Sequence, residues 1–162
     1  MTRPARGEIA LADAAATARL GAAVARGLAI GEAVCLWGPL GAGKSTLARG
    51  LIRALTRPDE DVPSPTFTLV QFYGGETQAG GVLPLAHFDL YRLTRADEAY
   101  EIGLDEALED GAVVIEWPER LEGRLPVDRL DIEIAIVGSA GAETRLARLT
   151  PRGSWEGRGI EF

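Results

Sequence analysis

Eight consecutive residues, Gly38-Pro39-Leu40-Gly41-Ala42-Gly43-Lys44-Ser45, constrain this chain more than any other feature. They complete the spacing G-x-x-x-x-G-K-[ST], a phosphate-binding loop. The apolar run Ala33-Val34-Cys35-Leu36-Trp37 before it has strand character, and Thr46 to Leu55 after it predicts a helix. Leu47, Leu51, Ile52 and Leu55 form that helix's buried stripe, with Arg49, Arg53 and Arg57 on the wet side. Strand, glycine-rich turn and helix together call for an α/β sheet whose helix N-terminus points at an anion. Gly38, Gly41 and Gly43 permit backbone angles closed to other residues, so successive N–H groups can turn inward. Pro39, Leu40, Ala42 and Thr46 contribute to the same nucleotide-binding set through their place in the loop and its helix. Lys44 is placed to reach the β- and γ-phosphates, and the Ser45 hydroxyl to ligate Mg²⁺.

Lys44 is also the only lysine, against sixteen arginines. A chain that writes arginine everywhere else keeps the compact, flexible ammonium here, and a planar guanidinium is not its equivalent.

At 162 residues the expectation is one domain, residues 1–162, with a core over about 11–150 and a C-terminal tail over 151–162. Cys35 stands alone in the expected first strand, so no disulfide framework forms. No run is apolar and long enough to span a membrane. Glu8 and Asp13 count against a targeting peptide despite Arg3 and Arg6, and a cytoplasmic location is expected. The net charge of −7 is concentrated. Thr94 to Glu122 carries ten acids against Arg95 and Arg120, while the rest of the chain sums to +1. That segment reads either as a solvated acidic face or as a docking surface for a basic partner. A strongly acidic domain is poorly suited to gripping nucleic acid by itself.

The remaining pattern predicts a first helix over residues 11–29 and a polar turn at Asp59-Glu60-Asp61. Val62-Pro63-Ser64-Pro65 is expected to be extended. A β-like run over Phe67–Tyr73 is followed by a glycine loop over Gly74–Gly81 and a strand over Leu83–Tyr91, the two strands pairing as a hairpin. Thr94 with Asp97 resembles a helix start, with a break at Gly103. Ala112–Ile115 has the uninterrupted apolar character of a buried parallel strand, and Leu130–Val137 with Thr144–Leu149 reads as a second hairpin. The fold class is therefore a phosphate-loop three-layer α/β fold, with a mostly parallel central sheet and antiparallel hairpin extensions.

Two carboxylates end apolar strands, Glu116 after Val113-Val114-Ile115 and Asp89 after Leu85-Ala86-His87-Phe88. Strand-end acids lie at the edge where ligands bind an α/β sheet, so both are candidates to serve a bound phosphate and its metal. Thr66, within Ser64-Pro65-Thr66-Phe67, is either a phosphate-sensing switch residue or part of a rigid proline turn. His87 reads as structural, and Trp117 as either a nucleotide-stacking or a core aromatic. A guanine-reading Asn-Lys-x-Asp is absent, and the region where a metabolite kinase needs a basic lid is acidic. These features favour an ATPase that drives a conformational or assembly step. A small-metabolite kinase and a nucleotide-gated binding module with little hydrolysis remain as alternatives.

The ordered motifs Gly38 to Thr46, Ser64-Pro65-Thr66-Phe67-Thr68-Leu69-Val70, His87-Phe88-Asp89-Leu90-Tyr91-Arg92-Leu93, Glu101-Ile102-Gly103-Leu104 and Glu116-Trp117-Pro118-Glu119 resemble the TsaE (YjeE) family, over about Leu11 to Leu149. Pro39 stands where that family often has an acid, and Ser45 where threonine is common. The resemblance implies an ATPase of bacterial tRNA threonylcarbamoyladenosine synthesis that binds ATP and Mg²⁺ and resets a TsaB–TsaD complex. It further implies that Lys44 binds phosphate, Ser45 and Glu116 hold the metal, and Asp89 assists hydrolysis. Thr66 matches the switch-like loop, and Trp117 the tryptophan beside the metal-binding acid.

Overall fold

A computed structural model describes residues 2–162. In chain order its elements are β1 (Thr2–Pro4), β2 (Gly7–Leu11), α1 (Ala14–Ala25), β3 (Ala33–Trp37), α2 (Lys44–Leu55), β4 (Val70–Glu76) and β5 (Val82–Asp89). There follow α3 (Asp97–Glu101), α4 (Leu104–Asp110), β6 (Ala112–Glu116), a 3₁₀ turn (Pro118–Leu121), β7 (Arg129–Val137), β8 (Thr144–Arg152) and β9 (Gly159–Glu161).

Seven strands form one sheet in the order β2-β8-β7-β3-β6-β5-β4. Its centre, β7-β3-β6-β5, is parallel, and β8, β2 and β4 extend it antiparallel. Strands β3 and β6 are buried on both sides, which is why Ala112–Ile115 carries no polar alternation. Successive side chains point to opposite faces. Val34, Leu36, Val114 and Ile132 therefore meet α1 and α2 through Leu20, Val24, Leu47 and Leu51. On the other face Cys35, Val113, Ile115 and Phe88 meet Leu104 and Leu121. The result is the expected three-layer α/β fold, and both predicted hairpins are present.

Several boundaries differ from expectation: the first helix ends at Ala25 rather than residue 29, and β4 begins at Val70 rather than Phe67, with Leu69 before it at φ 68°. The first helix begins at Ala14, because Asp13 caps it by accepting from the Ala16 N–H at 2.8 Å. Residues 7–11, with Leu11 expected to be helical, instead pair with β8. Gly74 and Gly75, expected in a loop, continue β4 opposite Pro84 and Leu83. A side chain on Gly75 would place its Cβ 2.4 Å from the Leu83 carbonyl. The helix start near Thr94 is closed by Glu98 rather than Asp97, its Oε1 accepting from the Thr94 and Arg95 N–H groups at 3.1 and 2.9 Å.

Residues 151–162, expected as a tail, are part of the fold. β8 runs to Arg152, β9 pairs with β1, and Trp155 is fully buried in the core under α1 and α2. Glu32, itself buried, holds this segment by accepting two 2.7 Å bonds from Arg158 and one of 2.6 Å from Ser154. The segment's strong interactions are long-range, so local sequence pattern is silent about them.

Candidate functional site

The register of the parallel strands builds the site. Leu36 lies opposite Glu116, and Glu116 opposite Asp89, so β3, β6 and β5 end along one edge of the sheet. The chain leaves β3 into the glycine loop and enters α2 at Lys44. Gly38, Gly41 and Gly43 have φ of 146°, 80° and 110°, values closed to most side chains. At Gly38 the approach is also close, since a Cβ would lie 2.6 Å from the Ile134 carbonyl.

The loop's outward carbonyls have a partner of their own. Arg145, on β8, donates to the Ala42 and Gly41 oxygens at 3.0 and 3.1 Å, holding the outer side of the loop. Lys44 is buried; its Nζ donates to the Gly38 carbonyl at 2.5 Å and lies 3.2 Å from the centre of the Trp117 ring. Burial pushes the Lys44 ammonium below the usual lysine range, with Glu119, Glu116 and Asp89 pulling the other way. Trp117 sits at φ 61°, an uncommon angle for a bulky residue, and Tyr91 packs on it with ring centres 5.0 Å apart.

Two carboxylates face this lysine with different partners. Glu116 Oε1 accepts from Ser45 Oγ at 2.9 Å, and its Oε2 lies 2.7 Å from His87 Nε2. Asp89 Oδ2 accepts from Ser64 Oγ and Thr66 Oγ1 at 3.2 and 3.0 Å, while Oδ1 accepts from the Tyr91 N–H at 3.0 Å. The Ser64-Pro65-Thr66 turn is thus tied to the strand-end acid.

A cleft of about 410 Å³ brings together Leu40, Gly41, Gly43, Lys44, Ser45, Thr46, Thr66, Asp89, Glu116 and Trp117. Of the other expected site residues, Gly38 meets Lys44 through its carbonyl, Pro39 is exposed, and Ala42 is buried in the core. A second cleft, about 280 Å³, shares Gly41, Gly43 and Thr46, and is walled by Asp13, Thr17 and Arg145. Arg148, three residues beyond Arg145 on β8, pairs instead with Glu8 and Glu133. Among the described residues no group of three or more His, Cys, Asp or Glu side chains forms a metal cage. The adjacent Ser45 and Glu116 oxygens are a hard donor pair of the kind Mg²⁺ takes when phosphate oxygens and water complete its shell.

The family model for threonylcarbamoyl adenosine biosynthesis protein TsaE matches residues 11–145. The chain belongs to the TsaE family. A protein of Bacillus subtilis named tRNA threonylcarbamoyladenosine biosynthesis protein TsaE is 39% identical over 142 residues, which are 86% of this chain and 80% of that one. Its namesake from Treponema pallidum is 37% identical, covering 81% of this chain and 93% of its own. That from Streptomyces coelicolor is 39% identical over 83% and 89%. The crystal structure of Bacillus subtilis YdiB superposes with a TM-score of 0.70 at 28% identity, over 94% of this chain and 88% of that one.

Within this TsaE-family cleft, three participants were not among the expected site residues. Ser64 had a signal in its motif, adjoining Thr66. His87 had one in strand alternation, which puts it on the face of Asp89. Arg145, a possible nucleotide neighbour from its place near the end of the sequence, reaches the loop from β8, about a hundred residues along the chain.

Proposed function

We propose that this chain is the ATPase of tRNA N6-threonylcarbamoyladenosine synthesis in its cell. It binds ATP with Mg²⁺ in the Lys44 cleft, hydrolyses it slowly by itself, and uses the cycle to reset a TsaB–TsaD complex that handles the tRNA. The location expected for such work is the cytoplasm, and among the described residues no helix is long and apolar enough to cross a membrane. The observation that carries the proposal is the contact of Ser45, at the start of α2, with Glu116, in the same cleft as Lys44 and Asp89. The names of the relatives supply the pathway.

In this reading the loop N–H groups and the α2 N-terminus bind the β- and γ-phosphates. Lys44 leaves the Gly38 carbonyl and Trp117 to meet them. Ser45 and Glu116 hold the metal, which when bound polarises phosphoryl oxygens. Asp89, with both oxygens already oriented by Ser64, Thr66 and the Tyr91 N–H, guides water toward the γ-phosphorus. The second cleft is the place for the nucleoside, since it opens off the same glycine loop.

The cleft speaks for hydrolysis over the kinase alternative. Among its lining residues Lys44 is the one cation, and no arginine lid contributes. The test is phosphate release from ATP with and without a TsaB–TsaD pair, together with tRNA modification in cells carrying Asp89→Ala. Stimulation by the pair and at least a tenfold loss in the variant, about 1.4 kcal/mol of barrier, are expected. Unstimulated turnover with normal modification would remove the proposal, and persistence of modification in a variant that binds but does not hydrolyse ATP would favour the binding-module alternative.

A further inference from the structure

We infer that His87 is a positioning residue for Glu116, and through it sets how tightly the cleft holds a divalent metal on a bound nucleotide. The inference rests on the ATP–Mg²⁺ reading above. Its ground is the way the two Glu116 oxygens are divided. Oε2 lies 2.7 Å from His87 Nε2 and Oε1 accepts from Ser45 Oγ at 2.9 Å, so one oxygen is anchored inside the sheet and the other is turned toward the start of α2. Both His87 and Glu116 are 2% exposed.

A carboxylate only accepts, so Nε2 must carry the hydrogen in this contact. The second ring nitrogen, Nδ1, is buried with no partner. A buried polar atom without a partner is costly, whether donor or acceptor. If packing were the only demand here, leucine or phenylalanine would meet it without that cost. What an apolar side chain cannot do is donate to Glu116 from the neighbouring strand. The register makes the reach short: His87 is paired with Val114, two residues before Glu116 on the adjacent strand β6.

Anchoring one oxygen fixes the plane of the carboxylate and leaves Oε1 as the atom presented to Ser45. Without His87 the Ser45 contact alone orients Glu116, and the carboxylate spreads over orientations that serve a metal shared with Ser45 less well. Partners of this kind around metal ligands typically change metal affinity by about 10- to 100-fold.

The test compares binding of a non-hydrolysable ATP analogue, the β,γ-imido triphosphate, with Mg²⁺ and with chelator, by calorimetry. The quantity read is the ratio of the two affinities. In His87→Leu and His87→Asn this ratio should fall about 10- to 100-fold, with binding in chelator retained. In His87→Gln, whose amide nitrogen can occupy the place of Nε2, most of the ratio should return. In a Glu116→Gln background His87→Leu should produce no further fall. Should His87→Leu fail to fold, the Asn and Gln pair decides by the same ratio. A wild-type ratio in both Leu and Asn variants, or an undiminished effect in the Glu116→Gln background, would overturn the role of His87 while leaving the ATP reading intact. Absence of analogue binding by the wild-type protein under both conditions would remove the ATP reading and this inference with it.

Discussion

The Lys44 ammonium lies between the Gly38 carbonyl and the face of Trp117, and a planar guanidinium is not the equivalent of this compact charge on a flexible stem. Sequence composition already singled out this residue, but not its resting partners. Lys44→Arg keeps the charge and should nonetheless weaken binding of the ATP analogue at least tenfold, about 1.4 kcal/mol, by calorimetry. Equal affinity in the variant would show that charge alone is needed. Trp117 was legible as a neighbour of the strand-end acid, and its place over the lysine follows from the left-handed turn it makes before Pro118. That turn is a conformation, not a composition, and nothing in the residue type announces it.

Helices α1 and α2 pack closely enough for backbone to meet backbone. A Cβ added at Gly21 would lie 2.2 Å from the Leu47 carbonyl, and one at Gly50 would lie 2.3 Å from the Ala18 carbonyl. Neither glycine has an unusual φ, so their requirement is space. Gly21→Ala and Gly50→Ala should each cost about 1–3 kcal/mol, because overpacking moves the helices apart. For a domain of this size that is roughly a 3–10 °C fall in Tm, measurable by thermal unfolding. An unchanged Tm would mean the helices separate freely. The elements themselves were largely readable from periodicity: β3, α2, β6 and both hairpins stand where apolar pattern put them. β1 and β9 were not, because three-residue strands exist only through each other.

Across the whole molecule, the segment after β8 is fastened to the sheet by Glu32. Burial acts to raise the Glu32 carboxyl, but bonds from Arg158, Ser154 and the Ala29 N–H together hold it below its ordinary value. The sign of the pH effect follows. A folded-state value below the unfolded one contributes stability that is present above about pH 4.5 and is lost as pH falls through the folded value. Glu32→Gln should therefore destabilise the protein at neutral pH by about 3 kcal/mol and flatten its stability profile on the acid side of pH 4.5. Denaturant unfolding at several pH values reads both. An acid-side slope identical to wild type would assign the loss to other carboxylates. Of the concentrated acids of Thr94–Glu122, Glu116 turns into the site and the remaining nine lie at the surface, mostly on α3, α4 and the turn after β6.

By itself the sequence determined the phosphate loop, the helix that follows it, the buried parallel strands and the two acids at their ends. All of these depend on contacts or periodicities within a few residues. Only the tertiary structure decided which acid meets which donor. Strand register set Glu116 beside His87 and Ser45 and gave Asp89 to Ser64 and Thr66, while the order of the sheet, with β8 one strand removed from β3, brought Arg145 to the loop. The physical reason is that side-chain pairing across strands depends on the register and order in which the sheet closes, and neither is written in the local pattern of any one segment.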